Sequence, residues 1–196
     1  MATTATRECI TGTLPPLTLP VVQDACGTVL SPTADSPVMT SNITGCEGTI
    51  TYSYKYVDCS GLSFTWNFVY TIDRTTPPVE TGTPVPISGT VECISQAVAP
   101  VNLPVVRDGC AVLMNAPVPV VTDTPSTLTC EGKREYKYTY TDCAGLSLVW
   151  TYTWTIDRTT APKEVGGPVA IASTVECLSA AVPPVLPVVK DACGLT

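Results

Sequence analysis

The cysteines recur with a fixed period, and that period constrains the fold more than any other feature of the chain. Cys9, Cys93 and Cys177 are successive members of an 84-residue period, and the same spacing separates Cys26 from Cys110, Cys46 from Cys130 and Cys59 from Cys143. Only Cys193 slips by one position. The flanking text returns with them: VDCSGLS at residues 57–63 becomes TDCAGLS at 141–147, and TIDRTT at 71–76 is repeated at 155–160. One supersecondary unit is therefore reused along the chain. The period divides the sequence into a first copy over residues 1–76, a complete second copy over 77–160 and the opening of a third over 161–196. The joints, TTPPVETGTPVP and TTAPKEVGGPVA, are rich in Pro and Gly and read as short, stiff connectors between beads.

Ten cysteines in 196 residues, with no histidine, place the chain in an oxidising compartment, because thiols at that density do not persist in a reducing cytosol. A net charge of −7 with ten Lys and Arg leaves no basic patch for a phosphate backbone or an anionic bilayer, so neither nucleic acid nor membrane is expected as a partner. No apolar run approaches a membrane-spanning length. The stretch from Met1 to Leu14 lacks the apolar core of a signal peptide, so the export signal is expected outside the sequence.

Each copy ends on a clean strand signal. Leu146, Leu148, Trp150, Tyr152, Trp154 and Ile156 alternate with Ser, Val and Thr, and the first copy repeats the stripe as Leu62, Phe64, Trp66, Phe68, Tyr70 and Ile72. A period of two held this long predicts strands with one buried face, and Trp66 and Trp150 are its expected core anchors. Upstream, Tyr52, Tyr54 and Tyr56, and again Tyr136, Tyr138 and Tyr140, lead into D-C-x-G, a hairpin turn signal. LPVVRDGC at 103–110 predicts a short strand and turn, VPISGTVEC at 85–93 a first strand, and APVPVVTDTP at 116–125 a Pro-bearing edge strand. No helical period appears. Short strands at this density predict an all-β chain of tandem immunoglobulin-like antiparallel β-sandwich domains.

Catalytic chemistry finds little to use. Without histidine the commonest base and metal ligand are missing, so no enzyme is expected. Asp24, Asp58, Asp108, Asp142 and Asp191 stand at turns, where an Asp side chain satisfies local N–H groups. The one cofactor reading left open is calcium at the joints, where Asp73 with Glu80, or Asp157 with Glu164, would converge; no calcium-loop motif supports it. Arg74 and Arg158 compete for the same aspartates as local ion-pair partners. Zinc is disfavoured because the cysteines lack close C-x₂₋₄-C spacing. The Tyr and Trp stripes fit core packing better than a sugar-stacking platform. The sequon Asn42-Ile43-Thr44 has no counterpart in the second copy.

The series TIDRTTPP, V-E-C, LPVV-x-D-x-C, C-E-G and Y-x-Y-x-x-D-C-x-G-L-S resembles the hyalin-repeat-like (HYR-like) domains with four cysteines that recur in giant surface adhesins of gliding Bacteroidetes. The resemblance covers essentially the whole chain. It implies an immunoglobulin-like sandwich, export by type 9 secretion and a cell-surface filament used in adhesion or gliding. Ordinary hyalin repeats place a cysteine in the final strand, where this chain has Trp66 and Trp150.

Two functions follow as expectations. In the first, the copies are a stalk whose partners are neighbouring repeats of the same chain. In the second, loops at one end of each sandwich bind polysaccharide or another surface ligand, because residues 112–129 diverge sharply from their counterpart at 28–45. Strand ends suggest a crossed disulfide pattern within each copy, Cys9 with Cys46, Cys26 with Cys59, Cys93 with Cys130 and Cys110 with Cys143. Sequential pairing, Cys9 with Cys26 and Cys46 with Cys59, is the rival, since four cysteines allow three connectivities.

Overall fold

The computed structural model describes residues 2–10, 16 and 18–195; Met1, the end of the Met1 to Leu14 stretch and Thr196 lie outside the described residues. The chain is all-β. Six strands come from the first copy: β1 (Ala2–Arg7), β2 (Val22–Gln23), β3 (Val29–Leu30), β4 (Val38–Ser41), β5 (Gly48–Val57) and β6 (Ser63–Ile72). The second copy supplies β7 (Val79–Thr81), β8 (Ser88–Val91), β9 (Val105–Arg107), β10 (Val120–Thr124), β11 (Gly132–Thr141) and β12 (Ser147–Ile156). The third opens with β13 (Lys163–Val165) and β14 (Val188–Lys190). The two long hairpins, β5–β6 and β11–β12, occupy the segments where the alternation of large apolar residues predicts them.

The same sheet is built twice. One has the order β1-β6-β5-β4 and the other β8-β12-β11-β10. The hairpins and the β4 and β10 edges pair antiparallel, and β10 is the edge strand that runs into Pro125. The first strand of each copy instead runs parallel to the last, Ala2 to Arg7 against Asn67 to Ile72 and Ser88 to Val91 against Thr153 to Ile156. This departs from a purely antiparallel reading. A parallel partner needs a long crossover, and nearly the whole copy serves as that crossover.

Two compact units emerge, and they cut across the copies. One comprises Met1–Pro84, Pro104–Pro117 and Thr139–Val149; the other comprises Val85–Leu103, Val118–Tyr138 and Trp150–Thr196. The first unit thus contains the first copy together with two turn-bearing ends of the second. Its core is Ile50, Tyr52, Tyr54, Tyr56, Trp66, Tyr70 and Ile72, with Ala5, Val22, Leu30, Ile43 and Phe68 packed against it. In the other unit Tyr136, Tyr138, Trp150 and Ile156 are buried, and the Tyr138 and Trp150 rings lie 5.6 Å apart. The Tyr136 hydroxyl donates to the Ala97 carbonyl at 2.6 Å, so burial leaves that phenol satisfied.

Two expectations need correction. The apolar stripe of the first copy is not buried throughout: Leu62, just ahead of β6, is 71% exposed and Phe64 45% exposed, because the hairpin tip reaches past the copy's own core. The connector is also more than a stiff spacer. Its residues Val79–Thr81 form β7, paired antiparallel with β9, and Pro78 is among the most deeply buried residues. Lys163–Val165 repeats the arrangement with β14. Val79 and Thr81 supply β-branched side chains on alternate positions, so the segment between the prolines pairs like any short strand.

Replacing Trp150 with Ala should destabilise the chain by roughly 3–5 kcal/mol, the usual loss for a large aromatic removed from a core. Urea unfolding followed by far-UV circular dichroism checks it, and an unchanged midpoint would remove Trp150 from the core.

Candidate functional site: the joint between copies

Five turns of one design hold the cysteines that matter most. They begin at Asp24, Asp58, Asp108, Asp142 and Asp191. In each, the Asp Oδ1 accepts the N–H groups two and four residues on, at 2.8–3.0 Å. The Asp backbone N–H donates to the carbonyl four residues on, and its carbonyl accepts the N–H three residues on. The residue at that third position has positive φ: Gly27 at 81°, Gly61 at 83°, Gly145 at 86° and Gly194 at 79°. Ala111, at 62°, is the exception that keeps a side chain there. A cysteine sits one or two residues after the Asp, so the turn fixes the direction in which its thiol leaves the hairpin. The local N–H role expected for these aspartates is what they perform.

The cystines overturn the pairing expected from the sequence. Cys9 is bonded to Cys110, Cys46 to Cys143 and Cys93 to Cys193, while Cys26, Cys59, Cys130 and Cys177 are free and exposed. Every bond joins one copy to the next, and none closes within a copy. The first two lie inside the first compact unit and the third inside the other. Cys9 follows β1, which runs parallel to β6, and Cys46 precedes β5, so both stand at the end of the sheet opposite the Cys59 turn. Ten-residue strands separate those ends by roughly 30 Å, which excludes Cys46 with Cys59. Cys9 and Cys46 do share an end, as expected from the strand ends. Their partners, however, are the turn cysteines that the following copy presents to that end.

The polar contacts at this joint also recur. In the first, Arg74 Nη1 donates to Asp108 Oδ2 at 2.6 Å, and Glu8 Oε1 accepts the N–H groups of Thr75 and Thr76 at 3.2 and 2.5 Å. In the second, Arg158 pairs with Asp191, and Glu92 Oε1 accepts the Thr159 and Thr160 hydroxyls at 2.6 and 2.7 Å. The Cys110 and Cys193 sulfurs each lie 3.5 Å from the carbonyl of the Glu that precedes their bonded partner. Arg74 and Arg158 therefore do not pair with the adjacent Asp73 and Asp157, whose backbone N–H groups instead continue the parallel ladder to Arg7 and Val91. Glu8 and Glu92 stand in the recurrent E-C dipeptide, which marks their positions in the repeat without announcing these contacts.

The calcium candidates are dispersed over these elements. Asp73 follows β6, Glu80 lies within β7, and Glu164 accepts the Val169 N–H at 2.8 Å. Among the described residues no group of three or more Cys, Asp or Glu comes together in a way that could hold a metal ion.

Four carboxylates, Glu8, Glu92, Asp108 and Asp191, are held below their ordinary pKa range. For Glu8 the chief cause is the Thr76 hydroxyl, followed by the Thr76 N–H; for Glu92 it is the Thr159 hydroxyl, then that of Thr160. Burial opposes the Asp108 charge, yet Arg74 and the Val112 and Cys110 N–H groups outweigh it. At Asp191 the Leu195 N–H leads, with desolvation opposing and Cys193 and Arg158 assisting. A carboxylate whose folded pKa is depressed stabilises above the unfolded value and loses that contribution as pH falls through the folded value. Thermal unfolding at intact disulfides should therefore be level above about pH 5 and fall below about pH 4. A flat profile from pH 7 to pH 2.5 would contradict the assignment.

Ala111→Gly offers a second check. An L-residue in the left-handed region costs about 1–2 kcal/mol, against which glycine adds about 0.4–1 kcal/mol of unfolded-state entropy. The substitution should raise stability by up to about 1 kcal/mol, read as a higher urea midpoint at unchanged m-value, and a lower midpoint would remove the strain.

The geometry sits beside one finding from known families. A family described as the HYR-like domain with four cysteines matches residues 1–72 and again residues 81–156. No curated protein matches the chain. HYR-like domains are extracellular adhesion-type repeats, and three disulfides fit an extracellular protein. Two matches spaced like the cysteine period cover most of the sequence, and the chain belongs to the HYR-like four-cysteine domain family.

Proposed function

We propose that the chain is a load-bearing stalk segment of a large cell-surface adhesin, in which successive copies are riveted to one another to form a filament. The supporting observation is that its cystine loops overlap. Cys9 to Cys110 closes one loop and Cys93 to Cys193 the next, so the second loop begins before the first ends. A pull between Cys9 and Cys193 crosses the first cystine, runs back from Cys110 to Cys93, and leaves through the second. Only the seventeen-residue interval from Cys93 to Cys110 is free to extend. Adhesion is the function this serves, and the family resemblance supplies gliding motility and type 9 export as its setting. Neighbouring copies are the main partners.

Single-molecule pulling on the chain tests the reading. With cystines intact, the fully unfolded span from Cys9 to Cys193 should reach roughly 60 Å, and roughly 640 Å after reduction, at about 3.5 Å per residue. Full-length release from the oxidised chain would refute a load-bearing role. A longer recombinant array should appear as a thin rod by electron microscopy, and a compact globule would refute the stalk.

A further inference from the structure

Four cysteines remain unbonded, and their positions in the repeat are informative. Cys26 is the counterpart of Cys110 and Cys59 that of Cys143; both counterparts are bonded to the preceding copy. Cys130 is the counterpart of Cys46, and Cys177 of Cys9 and Cys93; these counterparts are bonded to the following copy. We propose that all four are docking thiols for flanking copies of the same repeat: Cys26 and Cys59 bond to a copy on the N-terminal side, Cys130 and Cys177 to a copy on the C-terminal side.

The free cysteines are already shaped for this. The Asp24 turn holds Cys26 with the Cys26 and Thr28 N–H groups on Asp24 Oδ1 at 2.9 Å each, and the Asp108 turn holds bonded Cys110 with 2.9 and 2.8 Å contacts. The Asp58 and Asp142 turns match in the same way around free Cys59 and bonded Cys143. Cys177 has φ −125° and ψ 143° ahead of a short 3-10 turn at Leu178–Ala180, whereas bonded Cys93 has −121° and 140° ahead of Ile94–Gln96.

Two further observations point to an absent neighbour. Asp108 and Asp191 each pair with an arginine of the preceding copy, whereas Asp24, in the same turn, has no ion-pair partner among the described residues. Leu62 and Phe64, beside Cys59, are exposed, while their counterparts Leu146 and Leu148, gathered into one compact unit with the first copy, are half-buried. Thiol, unpaired carboxylate and uncovered apolar surface all sit at the end that a preceding copy would cover.

Each bond forms from two thiols, which lose two protons and two electrons to a disulfide donor such as oxidised glutathione; the donor is reduced to two thiols, and one S–S bond replaces another. The proposal rests on joint geometry and stands independently of whether the array acts as a stalk.

Lengthening the chain tests it. The present chain, folded in a glutathione redox buffer, should carry four alkylatable thiols, at Cys26, Cys59, Cys130 and Cys177. A chain extended after Thr196 by a second copy of residues 114–196 should gain two cystines, from Cys130 to the appended counterpart of Cys143 and from Cys177 to that of Cys193. The thiol number should stay at four, because two ports close as two open. Peptide mapping without reduction reads both results. Cys130 and Cys177 still alkylated in the extended chain, or Cys26 bonded to Cys59, would overturn the proposal. If the extension fails to fold, mapping of the present chain still decides: a Cys26 to Cys59 cystine, or loss of the Cys9 to Cys110 bond, overturns it.

Discussion

The cystine between a hairpin turn and the strand end of the preceding copy is the interaction on which the rest of this structure depends. A sandwich of about 80 residues buries a limited core, and here part of the apolar surface lies at the hairpin tip, beyond the reach of the copy's own second layer. The first compact unit resolves this by taking in residues 104–117 and 139–149 of the second copy along with the whole of the first. Two of the three cystines hold those segments in place. A copy is thus a unit of sequence, and the compact unit is a copy plus the turns of its successor.

Covalent and polar contacts divide the work at the joint. Closing a loop of about 100 residues removes enough unfolded-chain entropy to contribute about 4.7 kcal/mol in the chain-entropy model. In a mostly buried ion pair such as Arg74 with Asp108, the cost of desolvating both charges offsets much of their attraction, so its net contribution is smaller than that of the cystine. The cystine therefore decides that the joint holds. The ion pair and the Glu to Thr hydrogen bonds decide its geometry, because they fix the direction in which the turn meets the strand end. Asp108 joins the two roles, since Oδ1 shapes the turn that carries Cys110 and Oδ2 takes the arginine of the preceding copy.

Much of the fold was legible in local sequence. The paired stripes at 50–57 and 63–72 encode a hairpin because a period of two and a D-C-x-G turn are both short-range signals, and the aspartate turns could be read from Asp with a Gly three residues on. Ala111 breaks that pattern and still forms the turn. The parallel pairing of β1 with β6 was not legible, because it depends on residues more than sixty positions apart with no turn to announce it. Val79–Thr81 looked like linker because flanking prolines dominate its composition, although its alternation is that of a strand. For the cystines, strand ends correctly separated Cys9 and Cys46 from Cys59. Their partners are not legible locally, because the period itself permits a bond to the next copy as readily as one within the same copy.

The two wirings differ most in how force travels. If each copy closed its own crossed pair, a pull through one period would stretch the thirteen residues from Cys46 to Cys59 and the thirty-four from Cys59 to Cys93, including the connector. The observed wiring bypasses the connector. Along the line of cystines from Cys9 to Cys193 only the interval from Cys93 to Cys110 lies in series; with Cys130 bonded to a following copy as proposed, the second line would place in series only the thirteen residues from Cys130 to Cys143. Fully extended, those intervals reach roughly 60 and 45 Å at about 3.5 Å per residue. In-copy cystines stiffen each bead and leave the string between beads as the weak element. Cystines between copies place covalent bonds across that element, so a chain wired this way resists extension at its joints as well as in its cores.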